Sequence, residues 1–94
     1  ISNGVLALLQ HPEQMNLLGQ NPSLLPSAVD ELLRYAGPIM FSSRFASEDV
    51  TIHGNRIRKG ELVLLSLTAA NIDPNMFPYP EELNISREEN NHLA

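Results

Sequence analysis

Apolar and polar residues follow a helical period in the first part of the chain. Over residues 1–10 the apolar positions recur at intervals of three and four residues, at Ile1, Val5, Leu8 and Leu9. Pro12 is expected to end this helix and to begin a second short one that ends at Gly19. A third and longer helix is predicted over residues 25–36, ending at Gly37. Its apolar arc is formed by Leu25, Ala28, Val29, Leu32, Leu33 and Ala36.

After Pro38 the pattern changes to short runs in which apolar and β-branched residues favour strands. The runs are IMFSSRFA, DVTIH, RIRK and ELVLLSL (61–67), with a turn at Gly54 and Asn55 between the second and the third. Residues 71–83 then carry three prolines, which favours an irregular path. The sequence therefore predicts an α+β fold in which three N-terminal helices are followed by a small antiparallel sheet and an irregular meander, with no internal domain boundary.

Composition and charge limit the functions that the chain can serve. It has 94 residues with 43% hydrophobic content, which supports one small core. The net charge of -5 disfavours nucleic acid and anionic membranes as partners. No apolar run approaches the roughly 18 residues of a membrane span, and the N-terminus lacks the pattern of a secretion signal, so we expect a cytoplasmic protein. The absence of cysteine excludes a disulfide or a thiolate metal ligand within these residues.

The run DELLRY places an acid and a base, Glu31 and Arg34, three residues apart. On helical geometry alone Arg34 points away from the apolar arc, so an exposed ion pair worth about 0.3 kcal/mol is the simplest interpretation. The histidines His11, His53 and His92 lie far apart and lack metal-ligand spacing, so no metal site is predicted. No Gly-x-Ser-x-Gly turn and no Gly-rich phosphate loop occurs, so hydrolase and nucleotide-binding functions have no support.

Taken in order, these runs resemble one contiguous section of a bacterial cytochrome P450, a heme-thiolate monooxygenase. ISNGVLALLQHPEQ is similar to the end of the family's long central helix and the next helix, and NPSLLPSAVDELLRY to the helix with the Glu-x-x-Arg motif. Residues 44–87 are similar to the sheet and meander that follow, and NNHLA to the lead-in to the heme-ligand loop. The resemblance implies a single partial domain, residues 1–94, of the mostly helical P450 fold.

The resemblance also implies roles for particular residues. Glu31 and Arg34 would form a buried structural ion pair that locks the helix to the meander, with no part in proton or electron transfer. Arg44 and His92 match positions that bind the heme propionates, which suits a guanidinium and an imidazole N–H. An ordinary edge-strand arginine and a tail histidine are equally supported for the isolated chain. The substrate pocket above the heme would be lined by Ile39, Met40 and Phe41.

In the family the catalytic elements lie outside the section that these residues resemble. The oxygen-activating motif would precede them, and the cysteine that binds iron would follow Ala94. A complete family member would use heme, O2, an apolar small-molecule substrate and electrons from a separate redox protein. The 94 residues alone should hold no heme stably and should be inactive, because nothing in them can replace the thiolate ligand.

One position departs from the family pattern. Many members carry an arginine that joins the Glu-x-x-Arg pair, and Glu82 stands at what looks like its place. A second acid near Glu31 would repel it unless Arg34 or Arg87 intervenes. A truncated non-enzymatic remnant or a self-associating interaction module is therefore an alternative, since apolar surfaces would be exposed if nothing covered them. A weaker alternative is heme carriage through Arg44 and a histidine ligand.

Overall fold

The first third of the chain is helical in a computed structural model, which describes residues 1–93. Ala94, the last residue of the NNHLA run, lies outside the described residues. The elements are α1 (Ser2–Gln10), α2 (Pro12–Gln20), a short 3-10 helix (Pro22–Leu24) and α3 (Leu25–Ala36). Pro12 and Pro22 stand in the first turn of their helices, where a missing N–H leaves no helical hydrogen bond unmade. The three predicted N-terminal helices are confirmed.

Two antiparallel strand pairs follow α3. The strands are β1 (Phe41–Phe45), β2 (Val50–Ile52), β3 (Asn55–Ile57) and β4 (Leu62–Ser66). β1 pairs with β4, and β2 pairs with β3, so the predicted antiparallel strands form two separate ladders. The β2–β3 turn lies at His53 and Gly54, one residue earlier than predicted, with φ angles of 48° and 78°. Glycine adopts this left-handed region without a steric penalty, which favours the turn at that place.

A fourth helix, α4 (Leu67–Asn71), is not predicted by the sequence pattern, which gives Leu67 to a strand and Asn71 to the irregular path. The strand ends at Ser66 because this residue caps the helix, its Oγ accepting a hydrogen bond from the Ala69 backbone N–H at 3.1 Å. Asn71, the last residue of α4, is buried. Residues 72–93 contain no further helix or strand, in agreement with the predicted meander.

The buried part of the described chain is small and partly polar. Its apolar members are Ala7, Ala28, Phe77, Leu83 and Ile85. Three polar side chains are buried with them, those of Glu31, Arg34 and Asn71. By contrast, Phe45 and Leu64 in the strands are 72% and 64% exposed. The contacts that hold α3 against residues 71–90 therefore include buried polar groups as well as apolar side chains. None of the helices within residues 1–93 is both long and apolar enough to traverse a bilayer.

Candidate functional site

Arg34, in the last turn of α3, donates hydrogen bonds from every one of its N–H bearing nitrogens. Its Nε donates to Glu31 Oε1 at 2.6 Å and its Nη2 to Glu31 Oε2 at 3.0 Å, which makes a two-point ion pair. Nη1 donates to the carbonyls of Asn71 at 2.8 Å and Pro80 at 2.9 Å. Nη2 also donates to the carbonyl of Glu82 at 3.0 Å. A guanidinium has five N–H groups, so these five bonds use them all and join α3 to the meander.

The Glu31 carboxylate is fully buried and collects donors from the same region. Besides Arg34, it accepts from the Asn84 backbone N–H at 2.8 Å, from Arg87 Nε at 3.2 Å and from Asn90 Nδ2 at 3.2 Å. One carboxylate thus binds three separate positions of residues 84–90. We refer to Glu31, Arg34 and Arg87 as the ion-pair network.

The environment of Glu31 favours its charged form. Burial raises the pKa of Glu31, but hydrogen bonds from Arg34 and the Asn84 backbone, together with the charges of Arg34 and Arg87, lower it by more. The net pKa of Glu31 therefore lies below its ordinary value. The buried ring of Phe77 adds a cation–π contact, with the Arg34 Cζ atom 5.4 Å from the ring centroid.

The structure places Arg87, and not Glu82, against Glu31. The Glu82 side chain is exposed, and only its backbone carbonyl takes part, as an acceptor for Arg34. Arg87 reaches Glu31 while its Nη1 donates to the Pro78 carbonyl at 2.8 Å. The expectation that an acid occupies the third position of the network is therefore wrong. The irregular path of the meander brings residue 87 to that position.

The residues predicted to bind heme propionates are Arg44, which lies on β1, and His92, which lies in a stretch without helix or strand. Arg44 is exposed on β1, and its Nη1 donates to Ser42 Oγ at 2.8 Å and to the Ser43 carbonyl at 2.7 Å. His92 Nε2 lies 3.2 Å from Asp30 Oδ1, and its Nδ1 is buried without a hydrogen-bond partner among residues 1–93. An exposed guanidinium and a buried imidazole nitrogen without a partner both fit an anionic cofactor group.

The residues predicted to line a substrate pocket present apolar surface. Ile39, Met40 and Phe41 are each more than half exposed, at 57%, 54% and 57%. Ile39 and Met40 border a cleft of about 290 Å³ between α1, the end of α3 and α4. Within residues 1–93, no group of three His, Asp or Glu side chains is placed to hold a metal ion.

The comparison with known proteins identifies the family. The family described as Cytochrome P450 matches residues 6–92, and the chain belongs to this family. It is 71% identical over all 94 residues to Cytochrome P450 CYP107DY1 of Priestia megaterium, of which it covers 23%. It is 52% identical, again over 94 residues, to the Biotin biosynthesis cytochrome P450 of Bacillus subtilis, of which it covers 24%. The chain thus spans about a quarter of the length of these relatives.

Solved P450 structures share the arrangement described above. The crystal structure of P450BioI in complex with hexadec-9Z-enoic acid ligated acyl carrier protein superposes with a TM-score of 0.95 at 53% identity, over 99% of this chain and 24% of that one. CYP109E1 from Bacillus megaterium in complex with testosterone also gives a TM-score of 0.95, at 35% identity, over 98% of this chain and 26% of that one. The order of helices, strand pairs and meander is therefore that of the family.

Proposed function

We propose that these residues are one segment of a cytochrome P450 monooxygenase that inserts one oxygen atom from O2 into an apolar small molecule. The observation that carries this proposal is the buried ion-pair network in a chain that matches the family over residues 6–92. In the proposed enzyme a separate redox protein supplies the electrons. The segment itself would keep α3 and the meander in a fixed position relative to each other, beside the heme.

The ion-pair network serves a structural purpose in this proposal. Arg34 has no N–H group left for a substrate, because all five are bonded within the chain. Glu31 has no solvent-exposed surface, and its lowered pKa keeps it ionised near neutral pH. A carboxylate with these properties is a poor proton donor, so it acts by holding its partners in place.

Two residues of this chain would hold the cofactor. Heme with a cysteine thiolate ligand supplies the O–O bond cleavage of the family. The Arg44 guanidinium, which is exposed, and the His92 imidazole would bind its propionates. The sequence contains no cysteine, so the thiolate would have to come from other residues of a complete polypeptide. We accordingly propose that the 94 residues alone are inactive and retain no heme.

An apolar substrate agrees with the exposed side chains that precede and begin β1. Ile39, Met40 and Phe41 offer hydrocarbon and aromatic surface with no charged group among them. The structures of two relatives contain ligands that are mainly hydrocarbon, hexadec-9Z-enoic acid on acyl carrier protein in one and testosterone in the other. We propose the same chemical class for this protein.

The test is absorption spectroscopy of the reduced carbonyl complex. The full-length polypeptide that carries these residues should show a thiolate-type absorption after reduction and addition of carbon monoxide, and the isolated 94-residue chain should show none. Arg44→Leu should lower the heme content per polypeptide, while Arg58→Leu, at an exposed arginine of the hairpin region, should leave it unchanged. A thiolate-type absorption from the isolated chain, or equal heme content in both variants, would contradict the proposal.

A second proposal concerns the 94-residue chain made by itself. Leu9, Phe45 and Leu64 are between 63% and 72% exposed, and an apolar groove of about 310 Å³ lies between α1 and α3. Exposed apolar surface of this extent favours association between copies. Sedimentation velocity should therefore show dimers or larger species that grow with concentration. A monomer at all concentrations would exclude self-association.

A further inference from the structure

Residues 90–93, which we call the anchored segment, are held by three side chains from two helices. Asn71 at the end of α4 donates from Nδ2 to the Leu93 carbonyl at 2.6 Å, and the Leu93 N–H donates to Asn71 Oδ1 at 2.7 Å. On α3, Glu31 accepts from Asn90, and Asp30 lies against His92. The segment has no helix or strand of its own, so these contacts define its path.

The Asn71 contact differs from the others because it is two-sided. A carboxamide that both donates to and accepts from one residue's backbone imitates a neighbouring strand, and Asn71 is only 5% exposed. Its backbone carbonyl accepts from Arg34 Nη1 at 2.8 Å. Asn71 therefore connects the ion-pair network to Leu93 through a single residue.

We propose that Asn71 is a positioning residue that fixes the orientation of the anchored segment relative to the ion-pair network. Its carboxamide holds both the N–H and the carbonyl of Leu93, whereas Asn90 and His92 are held only through their side chains. The inference rests on the proposed function, in which the residues after this segment carry the iron ligand. Misplacing Leu93 would then misplace that ligand without breaking the ion-pair network.

The first test is hydrogen exchange in the full-length polypeptide, read by mass spectrometry in peptides that include Leu93. Asn71→Leu keeps similar volume and removes both hydrogen bonds, so exchange of the Leu93 amide should rise about 30-fold. Asn71→Ala removes the same two hydrogen bonds with a smaller side chain, so the rise should be of similar size. Asn91→Leu, at an exposed asparagine in the same segment, is the matched control and should change nothing.

The second test separates positioning from general destabilisation. In the heme-loaded protein, Asn71→Leu should lower the share of heme that gives a thiolate-type carbonyl absorption, and Asn71→Ala should lower it as well. A purely structural role would lower heme content while leaving that share unchanged, and this result would overturn the proposal. If Asn71→Leu does not fold, both tests are made on Asn71→Ala.

The two proposals fail in different ways. Unchanged exchange of the Leu93 amide in a folded Asn71 variant would overturn the positioning role, whatever the heme spectrum shows. Absence of any thiolate-type absorption in the unmodified full-length protein would instead refute the proposed function. The exchange result would still decide whether Asn71 anchors the segment.

Discussion

Replacing Glu31 with glutamine tests the ion-pair network with the smallest change of shape. The carboxylate accepts five hydrogen bonds, two of them from Arg34 and one each from Asn84, Arg87 and Asn90. The glutamine amide offers one oxygen, and its NH2 group would face N–H donors. Two guanidinium groups would then lose their buried counter-charge.

The expected loss of stability is large because the pair is fully buried. Neither side chain of the Glu31–Arg34 pair has any exposed surface. Removing one member of a buried pair leaves an uncompensated charge, which costs about 3–5 kcal/mol. The entire free energy of unfolding of a protein is about 5–15 kcal/mol, so Glu31→Gln should remove a major fraction of it.

Urea denaturation of the full-length polypeptide at neutral pH measures this difference directly. Glu82→Gln is the matched control, since it makes the same change of charge at an exposed side chain of the same region. We expect that control to stay within about 0.5 kcal/mol of the unmodified protein. A loss of less than about 1 kcal/mol in the free energy of unfolding of Glu31→Gln would refute the reasoning, because a solvent-exposed ion pair contributes up to that amount.

Acid titration provides an independent measurement of the same group. Folding lowers the pKa of Glu31 from its ordinary value of 4.5. The contribution of the Glu31 carboxylate to the free energy of unfolding is therefore complete above that pH. The contribution is lost as the pH falls from about 4.5 through the lower folded value, since the unfolded chain then binds the proton more readily. The unmodified protein should therefore lose stability more steeply than Glu31→Gln over this range. Parallel curves for the two proteins would contradict the lowered pKa.

Three further substitutions test neighbouring contacts. Arg34→Lys should lower the free energy of unfolding by several kcal/mol in urea denaturation, because an ammonium has three donors where the guanidinium uses five. A near-neutral result would contradict the contacts described. Ser27→Ala should cost about 1 kcal/mol in the same assay, since Ser27 Oγ lies 2.7 Å from the carbonyl of the buried Ile85; no change would mean that water replaces it. Asp49→Ala should speed exchange of the Lys59 amide without moving the unfolding midpoint, because that exposed carboxylate accepts the Lys59 N–H at 2.7 Å.

The sequence pattern predicted the elements better than it predicted the faces that pack. Prolines and apolar spacing correctly marked the end of α1, the start of α2 and both ends of α3, while α2 ends at Gln20, one residue after the predicted Gly19. The helical wheel of α3, however, placed Arg34 on the polar side, where an exposed pair is the usual result. In the structure that polar side is covered by residues that lie 37 to 59 positions away along the chain, such as Asn71 and Asn90. Spacing within one helix contains no information about such partners.

The third member of the network shows the same limit. Glu82 and Arg87 are five residues apart in a stretch without helix or strand, so no period indicates which of them turns toward Glu31. The family resemblance identified the buried pair but assigned its neighbour to the wrong position. Arg87 reaches the carboxylate because of the path of the meander. Hydrogen bonds from Arg34 to the Pro80 carbonyl and from Arg87 to the Pro78 carbonyl hold that path.

The most direct test that these residues belong to a complete P450 monooxygenase is the intact mass of the natural polypeptide, detected through peptides of this sequence. The chain has a mass of 10.4 kDa and spans 23% of its Priestia megaterium relative, so dividing 10.4 by 0.23 predicts about 45 kDa. A polypeptide of that size, with a thiolate-type absorption in its reduced carbonyl complex, is the expected result. A natural polypeptide of 10.4 kDa would contradict the monooxygenase proposal and leave self-association as the function to test.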